Sequence, residues 1–501
     1  MVIVLGACDP VDDGKGLDEL VTGEKVMRHL QEFNRIAEEN NGNRSSGTSG
    51  YEASIQYVKY LLDSKFKVQE QEFKYKHFKE LENPRMSIVS PETKDYEYNN
   101  DFSIVKYSGS GQVVSAEVVA VDVVMPPGLE ANTSDGGCQE DDFHDKSTSV
   151  VDGYIGLIQR GSCAYGVKAS NAEAAGAVGV IIYNEGQEGR QNLESATLKS
   201  DSEVTIPVLF ASYAVGEELY NWIQAGEVRV SINVNVLNEE RTTKNLLADT
   251  HAGRENYIVV VGAHLDSVEN HGINDNGSGS AAILEIALQM YNRDVPPKNK
   301  VRFAFWGAEE LGLLGSTYYV EKLSRNERRN IELYLNFDML GSLNYVRFVY
   351  DSDESKSGNI LPGGSEQIEE VFYDYFQEKD LPAEPIDLTG RSDHAPFAEI
   401  GIPVGGLSSG IGGQKTQEQV DNYGGDLGEP YDPCNHKSCD DITNINGKSL
   451  DELSRAAAYA VDYFARSSDA VKDCGEQKER TLLQRGWLTN ESEYIGPLLR
   501  K

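Results

Sequence analysis

No apolar run in this sequence approaches the ~18 residues that a membrane-crossing helix needs, so a bilayer span is not expected. Basic residues are scarce. Lys and Arg number 46 against 81 Asp and Glu, for a formal net charge of -35. A surface of that sign repels phosphate backbones, which argues against nucleic acid as a partner. It keeps a chain in solution and favours cationic partners such as free amino groups. Cysteine is sparse as well, with six in 501 residues. The count is even, and Asn43, Asn132 and Asn490 each open a glycan-acceptor tripeptide, so an oxidising, secretory route is favoured. Val2–Ala7 is too short for a full signal-peptide core and has no basic residue before it. Leu5-Gly6-Ala7-Cys8 has the form of a lipid-attachment box, read here as the remnant of a leader.

The length suffices for two or three domains. Leu17–Glu39 reads as one amphipathic helix with Val26, Leu30, Phe33 and Ile36 on one face, and Tyr51–Leu62 as a second. Near residue 103 the texture changes. Short β-branched runs follow at Val113–Val124, Tyr154–Gln159, Val178–Tyr183, Ile206–Phe210 and Val228–Val236, with an Ala-rich helix at Ala169–Ala177. These predict an inserted, mainly β domain over residues 103–238. From Leu246 onward strands alternate with helices at Gly279–Met290, Gln367–Phe376 and Leu450–Ala465. Alternation of this kind predicts a sheet covered by helices on both faces. The expected fold is α/β. A mixed, mostly parallel sheet covered by helices is built from residues 18–102 and 239–465, with a polar tail at 466–501.

Three apolar, strand-like runs end in chemistry. Tyr257–Ala263 leads into His264, Val301–Gly307 into Glu309 and Glu310, and Ile331–Phe337 into Asp338. The carboxyl ends of strands in open α/β sheets are where ligands collect. With Asp275 and His436 the set holds two imidazoles and four carboxylates. Each residue alone fits an ordinary cap, turn or core polar group. Together they would repel one another unless cations held them, and their number argues for two metals. Asp266, two residues beyond His264, is placed to accept the far ring N–H of a metal-bound imidazole. Asp275, in an Asp-Asn-Gly turn, has two oxygens with which to bridge two ions. Glu309 and Glu310 are adjacent, so their side chains leave the backbone in different directions. One binds metal while the other serves the attacking water as general base. An unpaired Asp338 at the end of an apolar strand would be costly. His436 lies between Cys434 and Cys439, which suit either thiolate ligation or a small disulfide loop. His394 and His271 compete with His436 for the last ligand position, and the residue pattern does not rank the three.

Several stretches resemble the co-catalytic zinc aminopeptidases, most closely the secreted fungal leucine aminopeptidases that carry a protease-associated domain. They are GAHLDSV (262–268), GINDNGSGSAAILEIA (272–287), FWGAEELGLLGS (305–316), NFDMLGS (336–342), GRSDHAPF (390–397) and PCNHKSCD (433–440). GYIGLIQRGSC…GAVGVIIYNE (153–185) resembles the protease-associated domain itself. The resemblance covers about residues 18–465 and implies a zinc exopeptidase with two zinc ions. His264 and Asp338 would hold one ion, Glu310 and His436 the other, with Asp275 bridging. Glu309 would be the general base, and Arg391 would hold substrate or the developing oxyanion. His394 would stand behind the ligands. Cys434–Cys439 and Cys138–Cys163 would be disulfides. The implied reaction removes a leucine-like, apolar first residue from peptides with a free N-terminus, through a hydroxide shared by the metals. The implied setting is a secreted monomer, extracellular or alternatively vacuolar. One departure stands out. The residue before the last ligand is usually a tyrosine whose phenol donates to the tetrahedral intermediate, and here it is Asn435, which leaves the oxyanion arrangement open. Two rivals share the fold. A carboxypeptidase for acidic peptides needs clustered arginines, and only Arg302 and Arg391 lie near the motifs. A receptor that had lost the chemistry would lack ligands, yet every ligand position and the base are filled.

Overall fold

A computed structural model describes residues 15–467 and 471, apart from 146, 147, 150–152, 200, 294, 353–360 and 389. The lipid-attachment box, Cys474, Asn490 and most of the tail lie outside these residues. The described residues divide into two compact units. One runs to Phe73 and resumes at Thr242; the other is Lys74–Arg241.

The expected first helix is two helices, α1 (Leu17–Leu20) and α2 (Gly23–Glu39). Thr22 interrupts them. It is extended, and its side chain caps α2 by accepting the N–H of Lys25. The N–H of Gly23 goes to Asp451 Oδ1 at 2.7 Å. A Cβ on Gly23 would lie 2.8 Å from the Cβ of Asp451, so the close approach requires glycine. The apolar face survives the break, with Val26, Leu30, Phe33 and Ile36 all buried. Helix α3 (Ser49–Leu62) follows, capped by Thr48.

The sheet of the first unit contains the parts of β1 (Lys67–Glu80) and β2 (Val236–Asp249) that lie in it, with β3 (Arg254–His264), β4 (Asn299–Trp306), β5 (Ile331–Phe337), β6 (Phe348–Tyr350), β7 (Glu384–Ile386) and β8 (Val404–Ser408). Their order is β1-β2-β4-β3-β5-β8-β6-β7. Strands β4, β3, β5 and β8 are mutually parallel, while β2 and β6 flank them antiparallel. The sheet is therefore mixed, with a parallel centre. Buried on both faces, the central strands read as continuous apolar runs rather than alternating ones. One face packs on α2, α3, α4 (Gly279–Asn292), α5 (Ser365–Glu378) and α6 (Gly447–Arg466). The other carries an aromatic core of Trp306, Tyr319, Tyr334 and Phe397, with Tyr334 and Phe397 stacked 4.1 Å apart.

In the second unit the strands Gly111–Val121, Ile155–Gln159, Gly179–Tyr183 and Val208–Ala211 run parallel. Antiparallel strands complete an eight-stranded sheet. The expected Ala-rich helix begins earlier, at Tyr165, and ends at Ala174. Gly176, at φ 93°, turns the chain away just beyond it. Cys138 and Cys163 are disulfide-bonded, as the resemblance implies.

Candidate metal centre

Strand register brings the first ligand candidates level. His264 pairs with Trp306 across β3 and β4, and Gly262 with Asn336 across β3 and β5. Beyond β4 the chain turns at Gly307 and Ala308. A Cβ on Gly307 would sit 2.4 Å from the Tyr51 hydroxyl, and Ala308 adopts φ 57°. Ala308 N–H donates to Ser46 Oγ at 2.7 Å, and Glu309 N–H to Asp266 Oδ1 at 3.2 Å. This turn aims Glu309 and Glu310. Asp275 lies in an irregular helical turn, Ile273–Ser278, ahead of α4. Asn276 ties that turn to β5, donating to Phe337 O at 2.9 Å and accepting from Met339 N–H at 3.1 Å. His436, at φ 56°, sits in a loop closed by the Cys434–Cys439 disulfide. These cysteines are therefore a bonded pair rather than thiolate ligands.

His264 Nε2 lies 3.3 Å from Asp275 Oδ1, 3.4 Å from Asp338 Oδ1 and 3.8 Å from Glu309 Oε2. His436 Nε2 lies 3.2 Å from both Asp275 Oδ2 and Glu310 Oε2. Among the described residues, two donor triads result. His264, Asp275 and Asp338 form one; Asp275, Glu310 and His436 form the other; within each, the donor atoms lie within 4.8 Å of one another. Asp275 belongs to both, with one oxygen toward each imidazole. Glu309 meets His264 and Glu310 in a third group but joins neither triad that contains Asp275.

The electrostatics fit a cation pair. Like charges 4 Å apart repel by about 4 kcal/mol at an effective dielectric near 20, and four carboxylates converge here. Burial pushes Glu310 up to about 7 and Glu309 well above the ordinary carboxylate range. Burial also opposes charge on His264, yet Glu309 and Asp338 lift its pKa well above that of a free imidazole. Glu310 Oε1 and Asp338 Oδ1 are buried without a hydrogen-bond partner. Orphaned acceptors beside deprotonatable imidazoles are the donor set that zinc takes.

Around these side chains the structure departs from the sequence reading at Asp266. His264 Nδ1 is 3.0 Å from the backbone oxygen of Asp266 and 3.8 Å from its carboxylate. The carboxylate is not the acceptor, because it is turned toward the N–H of Glu309. His394 is buried, packs edge-on against Tyr350 at 5.4 Å and has no hydrogen bond at either ring nitrogen. Burial lowers its pKa to about 3, and it joins neither triad. The His271 ring lies against Gly42, also outside both. Arg391 is exposed, next in sequence to Ser392, whose Oγ donates to Asp338 Oδ2 at 2.7 Å. Arg302 is committed to Asp249 through two hydrogen bonds of 2.6 and 2.7 Å, which removes it as a site for substrate carboxylates. Asn435 Nδ2 donates to Asp275 Oδ2 at 2.7 Å.

Other supports were not singled out from the sequence. Asn336 Nδ2 donates to Ser392 Oγ at 2.8 Å. Asp440 accepts the backbone N–H groups of Asn274 at 2.9 Å and Asp275 at 3.1 Å. Buried Arg44 donates to the carbonyls of Leu265 and His271 at 2.8 and 2.7 Å. A polar residue near the end of a largely apolar strand was the available signal for Asn336.

Comparison with known proteins agrees with this architecture. The model of peptidase family M28 matches residues 245–461, and that of the PA domain matches residues 114–219. An aminopeptidase of Pseudomonas aeruginosa is 42% identical over 488 residues, covering 96% of this chain and 89% of that one. Leucine aminopeptidase 2 of Trichophyton equinum is 36% identical over 446 residues, covering 88% and 83%. Among solved structures, an aminopeptidase from Aneurinibacillus sp. strain AM-1 is similar in fold, with a TM-score of 0.67 at 23% identity, covering 91% of this chain and 96% of that one. The zinc aminopeptidase of Bacillus subtilis gives a TM-score of 0.55 at 25% identity, covering 91% and 98%. With identity of this order sustained over nearly its whole length, the chain belongs to peptidase family M28 and carries a PA domain within its peptidase fold.

Proposed function

We propose that this metalloaminopeptidase binds two zinc ions and removes a leucine-like, apolar residue from the free N-terminus of a peptide. His264 and Asp338 hold one ion, Glu310 and His436 the other, and Asp275 serves both. The sharing of Asp275 by two donor triads carries the reading, because a carboxylate with one oxygen toward each imidazole suits a pair of cations. When bound, the zinc ions supply Lewis acidity, polarising the first peptide carbonyl and bringing the pKa of the attacking water toward neutrality. Glu309, outside both triads, is the general base. It takes the proton from that water and passes it to the leaving amine. Arg391 orients the substrate carbonyl or stabilises the developing oxyanion. The carboxylate-rich wall receives the substrate's α-ammonium group. The leucine-like preference is supported by the Trichophyton relative, which is named a leucine aminopeptidase.

Secretion to the extracellular space as a monomer is part of the same reading. Two disulfides suit an oxidising compartment. Of the glycan-acceptor residues, Asn132 is exposed, whereas Asn43 is half-buried beside fully buried Arg44. Among the described residues no helix is long and apolar enough to cross a membrane.

The test is hydrolysis of leucyl-p-nitroanilide with and without a chelator, beside its N-acetylated counterpart. Hydrolysis of the free-amine substrate that is lost on chelation is expected. Equal cleavage of the blocked substrate, or indifference to the chelator, would refute the reading.

A further inference from the structure

We infer that Asn435 is a positioning residue for the shared carboxylate. Its side-chain amide pins Asp275 so that one oxygen faces each metal site, and it does not donate to the oxyanion of the substrate. The inference rests on the two-zinc reading above.

A side-chain amide has two N–H donors. Asn435 Nδ2 lies 2.7 Å from Asp275 Oδ2 and 3.7 Å from Met339 Sδ. The carboxylate oxygen takes one hydrogen at short range, and the other is directed at the Met339 sulfur. A tyrosine at this position would carry its hydroxyl several bonds farther from the backbone, beyond the reach of this contact.

Both ends of the bond are fixed by the same scaffold. On the Asp275 side, Asp440 holds the N–H groups of Asn274 and Asp275. On the Asn435 side, the Cys434–Cys439 ring closes the loop, and Asn270 Nδ2 donates to Lys437 O at 2.8 Å. Asp432 joins the two sides. Its Oδ1 accepts the N–H of Cys434 at 2.8 Å, and its Oδ2 accepts from Asn274 Nδ2 at 2.6 Å. The amide and the carboxylate are thus held face to face by backbone and buried side chains. A donor on the ligating carboxylate fixes its plane and withdraws charge from it, which is how residues outside the coordination sphere tune a metal.

The experiment uses the full chain with Asn435→Ala and Asn435→Tyr. Zinc affinity is read by competition with a chromophoric chelator. The visible absorption of the cobalt-substituted protein is recorded, and kcat and KM are measured on leucyl-p-nitroanilide at saturating zinc. Both variants are expected to lose roughly 10–100-fold in affinity for at least one zinc, the usual cost of removing such a partner, with a shifted cobalt spectrum. If Asn435 instead served the oxyanion, affinity and spectrum would stay as in the wild type. The alanine variant would then lose roughly 10²–10³ in kcat, and tyrosine would restore it. That result, or wild-type zinc binding in either variant, overturns the inference. Wild-type protein that binds no zinc would overturn the metal centre itself, a separate and recognisable failure.

Discussion

Replacing Glu309 and Glu310 one at a time by glutamine separates base from ligand. Glutamine keeps the shape of glutamate but cannot accept a proton from water. Glu309 Oε2 stands 3.8 Å from His264 Nε2, farther than the carboxylates of Asp275 and Asp338. It belongs to neither triad that contains Asp275. Its loss should leave both zinc ions in place and remove the general base, a contribution of typically 10²–10⁴-fold in rate. At 1.36 kcal/mol per decade that is about 3–5 kcal/mol of barrier. Glu310 is the opposite case. Its Oε2 lies 3.2 Å from His436 Nε2, and its Oε1 is buried without a partner. On the proposed assignment Glu310→Gln removes a charged ligand, so zinc affinity at that site should fall by more than the roughly 10–100-fold that loss of a ligand's hydrogen-bond partner costs. The assays are kcat on leucyl-p-nitroanilide and elemental analysis after dialysis without chelator. A Glu309→Gln protein that loses zinc, beside a fully loaded Glu310→Gln protein, would reverse the two roles.

Three further outcomes are expected. His436→Ala should carry one zinc fewer than the wild type, while His394→Ala and His271→Ala keep both; elemental analysis giving the reverse would move the ligand to another loop. Zinc should stabilise the native state by about 2.7 kcal/mol at a free concentration 100 times its Kd, so urea unfolding curves that coincide with and without zinc would count against a native-state site. Phe397→Ala removes a fully buried ring stacked 4.1 Å from Tyr334, and it should cost about 3–5 kcal/mol in urea unfolding; a loss under about 1 kcal/mol would show that this face of the sheet repacks freely.

The strands that carry the centre were legible because burial on both faces forces long apolar runs, and each run stops where the chemistry starts. The start of α2 was not. Its apolar periodicity continues through Thr22, and the break depends on Gly23 meeting Asp451, a partner 428 positions away. The same limit applies to the scaffold of the centre. Asp440 and Asn274 stand 166 positions apart in the chain, and nothing local in either predicts that one will hold the other's backbone. The three competing histidines were indistinguishable for a related reason. Each sits in a polar segment, and only packing separates them: His394 against Tyr350, His271 against Gly42, and His436 beside Asp275.

At Asp275 the local signal describes the segment, while the residue's place in the site depends on its neighbours. Asp-Asn-Gly reads as a turn or helix start, and a turn is what forms. The capping is done by its neighbour: Asn276 Oδ1 accepts the N–H groups of Gly279 at 2.9 Å and Met339 at 3.1 Å. Asn276 takes the Gly279 N–H at the entrance to α4, so that donor does not engage the Asp275 carboxylate. Both its oxygens are open to the two imidazoles and to Asn435. Asp266 reverses the case. Its carboxylate accepts a backbone N–H, and its own carbonyl takes the His264 ring nitrogen. In both places the residue type foreshadowed the chemistry, while the choice of atom was made by whichever backbone donor had first claim.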